Sequence, residues 1–120
     1  MAELIDREVI PRIMDKMDSP DILLLIGARQ VGKTSAMHLI INRLREKVDA
    51  ESIHFFDLED FRILDLVNRG PASFVRFLHS EYQISNKRQY LFLDEIQYAD
   101  NPSNFLKLIH DHYPQFKVIA

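Results

Sequence analysis

Ile22-Leu23-Leu24-Leu25-Ile26 is an uninterrupted apolar run that leads straight into Gly27 and then into a stretch of helical periodicity. Five apolar residues are too few for a separate helix. Such a run reads as a strand buried on both faces, the habit of parallel sheets. From Lys33 to about Val48, the residues Met37, Ile40, Ile41, Leu44 and Val48 recur at three- and four-residue steps, which gives a helix with one buried face. Between strand and helix, Gly27-Ala28-Arg29-Gln30-Val31-Gly32-Lys33-Thr34 fits G-x-x-x-x-G-K-[ST] without a gap. Strand, glycine-bounded loop and helix in that order is the context this pattern requires, and an ordinary strand–helix turn with a surface lysine explains it less well.

The chemistry accounts for each position. Glycines at 27 and 32 lack a Cβ, so the backbone can wrap close to an anion and adopt unusual dihedrals. The loop N–H groups, with the positive end of the helix that starts near Lys33, are suited to cradle phosphates. Lys33 is expected to reach the β- and γ-phosphates and the Thr34 hydroxyl to ligate Mg²⁺. The nucleotide-binding candidates are therefore Gly27, Ala28, Arg29, Gln30, Val31, Gly32, Lys33, Thr34 and the adjoining Ser35.

Further along, Tyr90-Leu91-Phe92-Leu93 forms another apolar strand, ending in Asp94-Glu95. Ligands in open α/β sheets bind beyond the carboxyl ends of the strands, so this acidic pair belongs on the same sheet edge as the phosphate loop. Asp94 suits the magnesium shell, because Mg²⁺ prefers hard oxygen ligands and retains much of its hydration. Glu95 is placed to orient and activate the water that attacks a γ-phosphate, which makes Glu95 and Lys33 the catalytic candidates. In isolation the acidic pair would be a solvated turn; the phosphate loop is what raises it to a site. Gln97 has two readings, phosphate sensing or the start of the next helix. Asp57 and Glu59 fall on the same predicted edge, either as part of the water and magnesium network or as plain turn residues.

The remaining elements alternate. A helix over 4–17 carries Ile5, Val9, Ile13 and Met17, with Pro11 kinking it or starting a new helix. Residues 52–56 form a strand ending at Asp57. A short helix over 60–68 is closed by Gly70. Pro71 opens another helix with Phe74, Val75, Leu78 and Tyr82 on one side. Residues 85–87 make a turn. Asn101 caps a helix with Pro102 at its first position, stopping before Pro114, and Phe116 to Ala120 open a fourth strand. This alternation implies βαβ units and an α/β fold with a parallel sheet.

Composition closes off other classes. With 120 residues the chain has room for one core, and 47% hydrophobic with 28% charged residues is ordinary for a soluble globular protein. A net charge of −3 excludes the electrostatic footprint of a dedicated nucleic-acid binder. Arg43, Arg45 and Lys47 read as a solvated helix face, and Lys87-Arg88 as part of a polar turn. There is no cysteine, hence no disulfide. His110 and His112 lie two apart on a predicted helix and point apart, so they do not chelate together. No apolar stretch approaches the ~20 residues needed to span a bilayer. A reducing cytoplasm fits these features.

Together, IGARQVGKTS and YLFLDEIQ resemble a prokaryotic branch of the AAA+ ATPases, in which the phosphate loop typically reads GPRQVGKT and the acidic strand ends in LDEIQ. The likeness covers nearly the whole chain, including an N-terminal helix containing Arg7 and the aspartate after the second strand. Ala28 replaces the usual proline and removes some loop rigidity. The resemblance implies ATP and Mg²⁺ as ligands and an ASCE-type P-loop NTPase sheet. In that sheet the strand starting at Phe116 separates the acidic strand from the phosphate-loop strand. It also implies that the chain, with its partial ATP-binding domain over 1–120, is the nucleotide-binding fragment of a larger ATPase. Family members continue into a sensor-one segment, a fifth strand, an arginine near the γ-phosphate and a C-terminal domain, and without these hydrolysis is expected to be very slow. The leading expectation is ATP hydrolysis with ATP and ADP as ligands; the alternative is an ATP-dependent binding switch with negligible turnover. Glu95 argues against a kinase. Asn86-Lys87-Arg88-Gln89 lacks the aspartate of the guanine-reading N-K-x-D. The oligomeric state stays open, a homo-oligomer of the full-length protein included.

Overall fold

The computed structural model describes residues 9–25, 30–84 and 86–120. Strands β1 (Ile53–Asp57), β2 (Gln89–Asp94) and β3 (Phe116–Ile119) form a three-stranded parallel sheet in the order β1-β2-β3. Ile53 to Asp57 lie opposite Tyr90 to Asp94, and Gln89 to Phe92 lie opposite Phe116 to Ile119. The apolar run at 22–25 adds itself to the free side of β3. Leu23 N–H donates to Val118 O at 2.9 Å, Leu25 N–H to Ala120 O at 2.7 Å, and Ala120 N–H to Leu23 O at 3.0 Å. β3 therefore stands between the acidic strand β2 and the segment that leads into the phosphate loop, as the family resemblance implied.

That segment departs from the expected strand in two respects. Among the described residues of this segment, only Leu23 makes a regular bridge, to Ile119. It is also not buried on both faces: Leu23 and Leu25 pack inward, whereas Leu24 is 54% exposed. Leu24 alternates onto the same face as Ile22, which still reaches the core. Ile26 lies outside the described residues.

Strand alternation divides the apolar residues between two layers. Tyr90, Phe92 and Ile119 face α1 (Val9–Asp15) and α2 (Gln30–Leu44), where Ile10, Ile13, Met37, Ile40, Ile41 and Leu44 complete one core. Leu91, Leu93, Phe116 and Val118 face α3 (Phe61–Asn68), α4 (Pro71–Tyr82) and α5 (Pro102–His112), which supply Val67, Phe74, Leu78, Phe105 and Ile109. Each fully buried side chain of this size contributes about 1.5–3 kcal/mol, so both faces of β2 are fixed by packing. The fold is an α/β P-loop NTPase-like sheet with helices on both faces.

Local chemistry explains the helix ends. Asp60 caps α3 by accepting from Arg62 N–H at 3.0 Å, and that bond holds its carboxyl below the usual carboxylate range. Asn101 caps α5 by accepting from Asn104 N–H at 3.2 Å, and Pro71 and Pro102 occupy first-turn positions. Gly70 caps α4 at its start, with φ 114°, rather than only closing α3. Of the N-terminal helix, Val9–Asp15 is described as helical with Pro11 within it, and Lys16–Asp18 tighten into a 3₁₀ turn where the helix was expected to run on to 17. Residues 4–8, Arg7 among them, lie outside the described residues. Tyr82 is half exposed instead of sharing the burial of Phe74, although its ring meets Phe56 and Phe77 edge-on.

Candidate functional site

The carboxyl ends of β1 and β2 and the first turn of α2 converge at one edge of the sheet. Tyr90, Phe92 and Asp94 alternate onto the face covered by α2, so the packing that buries the two rings also aims Asp94 at that helix. The Thr34 hydroxyl, in the first turn of α2, donates to Asp94 Oδ2 at 2.7 Å. Asp94 Oδ1 accepts from Glu95 N–H at 3.0 Å. Asp94 is only 4% exposed, and a carboxylate so buried needs such donors.

Residues separated by 60 positions are thus hydrogen-bonded, and the two sequence motifs form one constellation. Lys33 is half-buried beside Thr34, Gly32 is buried, and Ser35 is exposed. Gln30 and Val31 lie in the same helical turn. Gly27, Ala28 and Arg29 lie outside the described residues. Gln30 is already helical, ahead of the start expected near Lys33, so Gly32 has helical rather than unusual dihedrals. The first four N–H groups of a helix have no partner within it. Gln30 to Lys33 lie at the N-terminal end of α2 as described, where the helix dipole and N–H groups favour an anion.

Glu95 leaves the strand abruptly, in the left-handed conformation with φ 60° and ψ 39°. For a residue with a side chain this costs about 1–2 kcal/mol. The turn that follows offsets it: Tyr98 N–H donates to Glu95 O at 3.1 Å, Ala99 N–H donates to Ile96 O at 3.0 Å, and Ile96 is anchored in the core. Glu95 is 6% exposed, and its Oε1 accepts from the Gln97 side-chain amide. Of the two readings of Gln97, neither describes this contact; it lies in a 3₁₀ turn, Ile96–Tyr98, and reaches back to the glutamate.

Asp57 is the register partner of Asp94, and Leu58 N–H donates to Asp94 O at 3.0 Å. The Asp57 carboxylate caps the turn by accepting from Glu59 N–H at 2.9 Å and is exposed, as is Glu59. Among the described residues, no group of three or more His, Asp or Glu gathers as a metal cage. A hydroxyl beside one buried carboxylate instead offers the few hard oxygens that Mg²⁺ takes from a protein when phosphates and water supply the rest.

A family model for the AAA domain matches residues 19–120. The chain belongs to the AAA domain family. An AAA domain is associated with ATPase-type nucleotide binding, which agrees with the arrangement at this sheet edge. The chain is also similar to an uncharacterized protein, MJ1637, of Methanocaldococcus jannaschii, at 27% identity, over 88% of this chain and 23% of that protein. The chain thus spans about a quarter of that relative's length. No solved structure gives a significant match. No helix among the described residues is long and apolar enough to cross a membrane.

Two charged residues outside this edge have partners that the sequence reading did not give them. Arg88 is not a mere turn charge: its guanidinium donates to Met17 O at 2.8 Å and Ser19 O at 2.7 Å, and lies 5.6 Å from the centre of the Tyr90 ring. Lys117 is 1% exposed inside β3, and its ammonium donates to Asp21 O and to Ser19 Oγ. Burial, with the positive charges of Arg88 and Lys16 nearby, lowers the Lys117 pKa; Asp21 acts the other way. Both cations bind the connector after α1 at the opposite end of the strands. The signal was the alternation of β3, which puts position 117 on the same inward face as Ile119.

Proposed function

We propose that this AAA domain binds Mg·ATP through residues 27–35 and that Asp94 and Glu95 support its hydrolysis to ADP and phosphate. The observation that carries the reading is the Thr34–Asp94 hydrogen bond, which joins the phosphate-loop motif to the acidic strand end. Lys33 would hold the β- and γ-phosphates by charge, and the first-turn N–H groups of α2 would donate to phosphate oxygens. Thr34 and Asp94 are the oxygen donors that would hold Mg²⁺, which would neutralise phosphate charge. Glu95 would orient the attacking water and accept its proton as the oxygen–phosphorus bond forms and the bond to ADP breaks.

The test is Glu95→Gln in the intact protein. It keeps the shape and hydrogen-bonding capacity of the side chain but removes its basicity. Mg·ATP affinity should persist while turnover falls by roughly 10²–10⁴-fold, the usual contribution of a general base. Turnover at the wild-type rate in the variant would remove Glu95 from the chemistry. Tight ATP binding with only background turnover in the wild type would replace hydrolysis by a binding switch.

A further inference from the structure

We infer that Gln97 is a positioning residue for Glu95, fixing one carboxylate oxygen so that the other is presented to the attacking water. The inference rests on the reading of Glu95 given above. Two observations carry it. The Gln97 amide donates to Glu95 Oε1, and no hydrogen bond among the described residues occupies Oε2. The backbone makes that contact possible: the positive φ at Glu95 breaks strand alternation and the turn Ile96–Tyr98 folds the chain back, bringing the side chain at 97 to the one at 95.

The chemistry gives the contact a purpose. A glutamate side chain has three rotatable bonds and an ionised carboxylate accepts at both oxygens, so an unrestrained Glu95 samples orientations in which neither oxygen meets the water. A donor on Oε1 selects one orientation and leaves Oε2 for the proton. Gln97 itself is exposed, so the core does not need it. A misplacement of about 1 Å at a reacting group can cost on the order of 10²-fold in rate, which sets the scale of what the restraint contributes.

The experiment is a double-mutant cycle on the intact protein, reading ATP turnover and Mg·ATP affinity for Gln97→Ala, Gln97→Glu, Glu95→Gln and Gln97→Ala/Glu95→Gln. Gln97→Glu keeps the length of the side chain but loses the donor. Both Gln97 variants should lower kcat by roughly tenfold to a hundredfold with affinity unchanged, and Gln97→Ala should have no further effect once Glu95 is Gln. Wild-type kcat in the Gln97 variants, with Glu95→Gln inactive, overturns the positioning role and leaves the site reading standing. A loss of affinity matching the loss of rate, or an equal Gln97→Ala effect in the Glu95→Gln background, also overturns it, because Gln97 would then act through another group. Full turnover by Glu95→Gln overturns both.

Discussion

The Thr34 hydroxyl donates to Asp94 Oδ2 at 2.7 Å, tying the first turn of α2 to the carboxyl end of β2. Two hard oxygen donors are thereby held side by side, against a sheet whose strands at that point are packed on both faces. The bond also supplies a donor to a carboxylate that is almost wholly buried.

Thr34→Val preserves the shape of the side chain and deletes the hydroxyl. Without ligand, the variant should lose about 1–3 kcal/mol of stability, the cost of leaving a buried polar group short of a partner. Thr34→Ser, which keeps the hydroxyl, should lose much less. Chemical denaturation of the three proteins checks this. A Val variant as stable as Ser would mean that the hydrogen bond contributes nothing.

Gly70 begins α4 with φ 114° and ψ 166°, a region open essentially to glycine alone, although an added Cβ would meet nothing within 4 Å. Gly70→Ala should therefore destabilise by about 1–3 kcal/mol through backbone strain and not through collision. At a glycine with ordinary dihedrals the same change stabilises by about 0.4–1 kcal/mol, so the sign of the measured change decides the matter.

Lys117 makes a pH-dependent prediction. Its folded-state pKa is lowered from 10.5, chiefly by burial. Below the folded value both states hold the proton and the cost of burying the charge is complete. Between the folded value and 10.5 the unfolded chain holds more protons, so stability rises with pH. Unfolding free energies of wild type and Lys117→Met, compared from neutral to alkaline pH, should shift in favour of wild type as pH rises. A difference that stays flat across that range would show that the buried ammonium is not penalised.

The parts of the molecule legible in the sequence are those set by short-range pattern. Asn101 and Pro102 announce α5, Pro71 announces α4, and the unbroken apolar stretch before Asp94 announces a central strand. Each rests on local propensity and capping that the tertiary fold leaves intact. The order of the strands came from resemblance, because no local property of Phe116–Ile119 says which neighbours it takes. What escaped was long-range or conformational. Arg88 reads as a turn charge, and Lys117 is only a strand position, until the fold brings the connector at 17–21 against them. The turn of Gln97 onto Glu95 depends on a positive φ at a glutamate, which propensity does not anticipate. Leu24 appears buried in a run of apolar residues, but the run alone does not say which of its faces is covered.

Binding of Mg·ATP by residues 27–35 is tested most directly by calorimetric titration of Mg·ATP into the wild-type protein and Lys33→Ala. A charge-assisted hydrogen bond is worth about 1.5–3 kcal/mol, so the lysine-free variant should bind roughly tenfold to a hundredfold more weakly. Saturable binding by wild type with that loss in the variant is the predicted result. Equal affinities, or no binding by the folded wild-type protein, would contradict the assignment of this sheet edge as a nucleotide site.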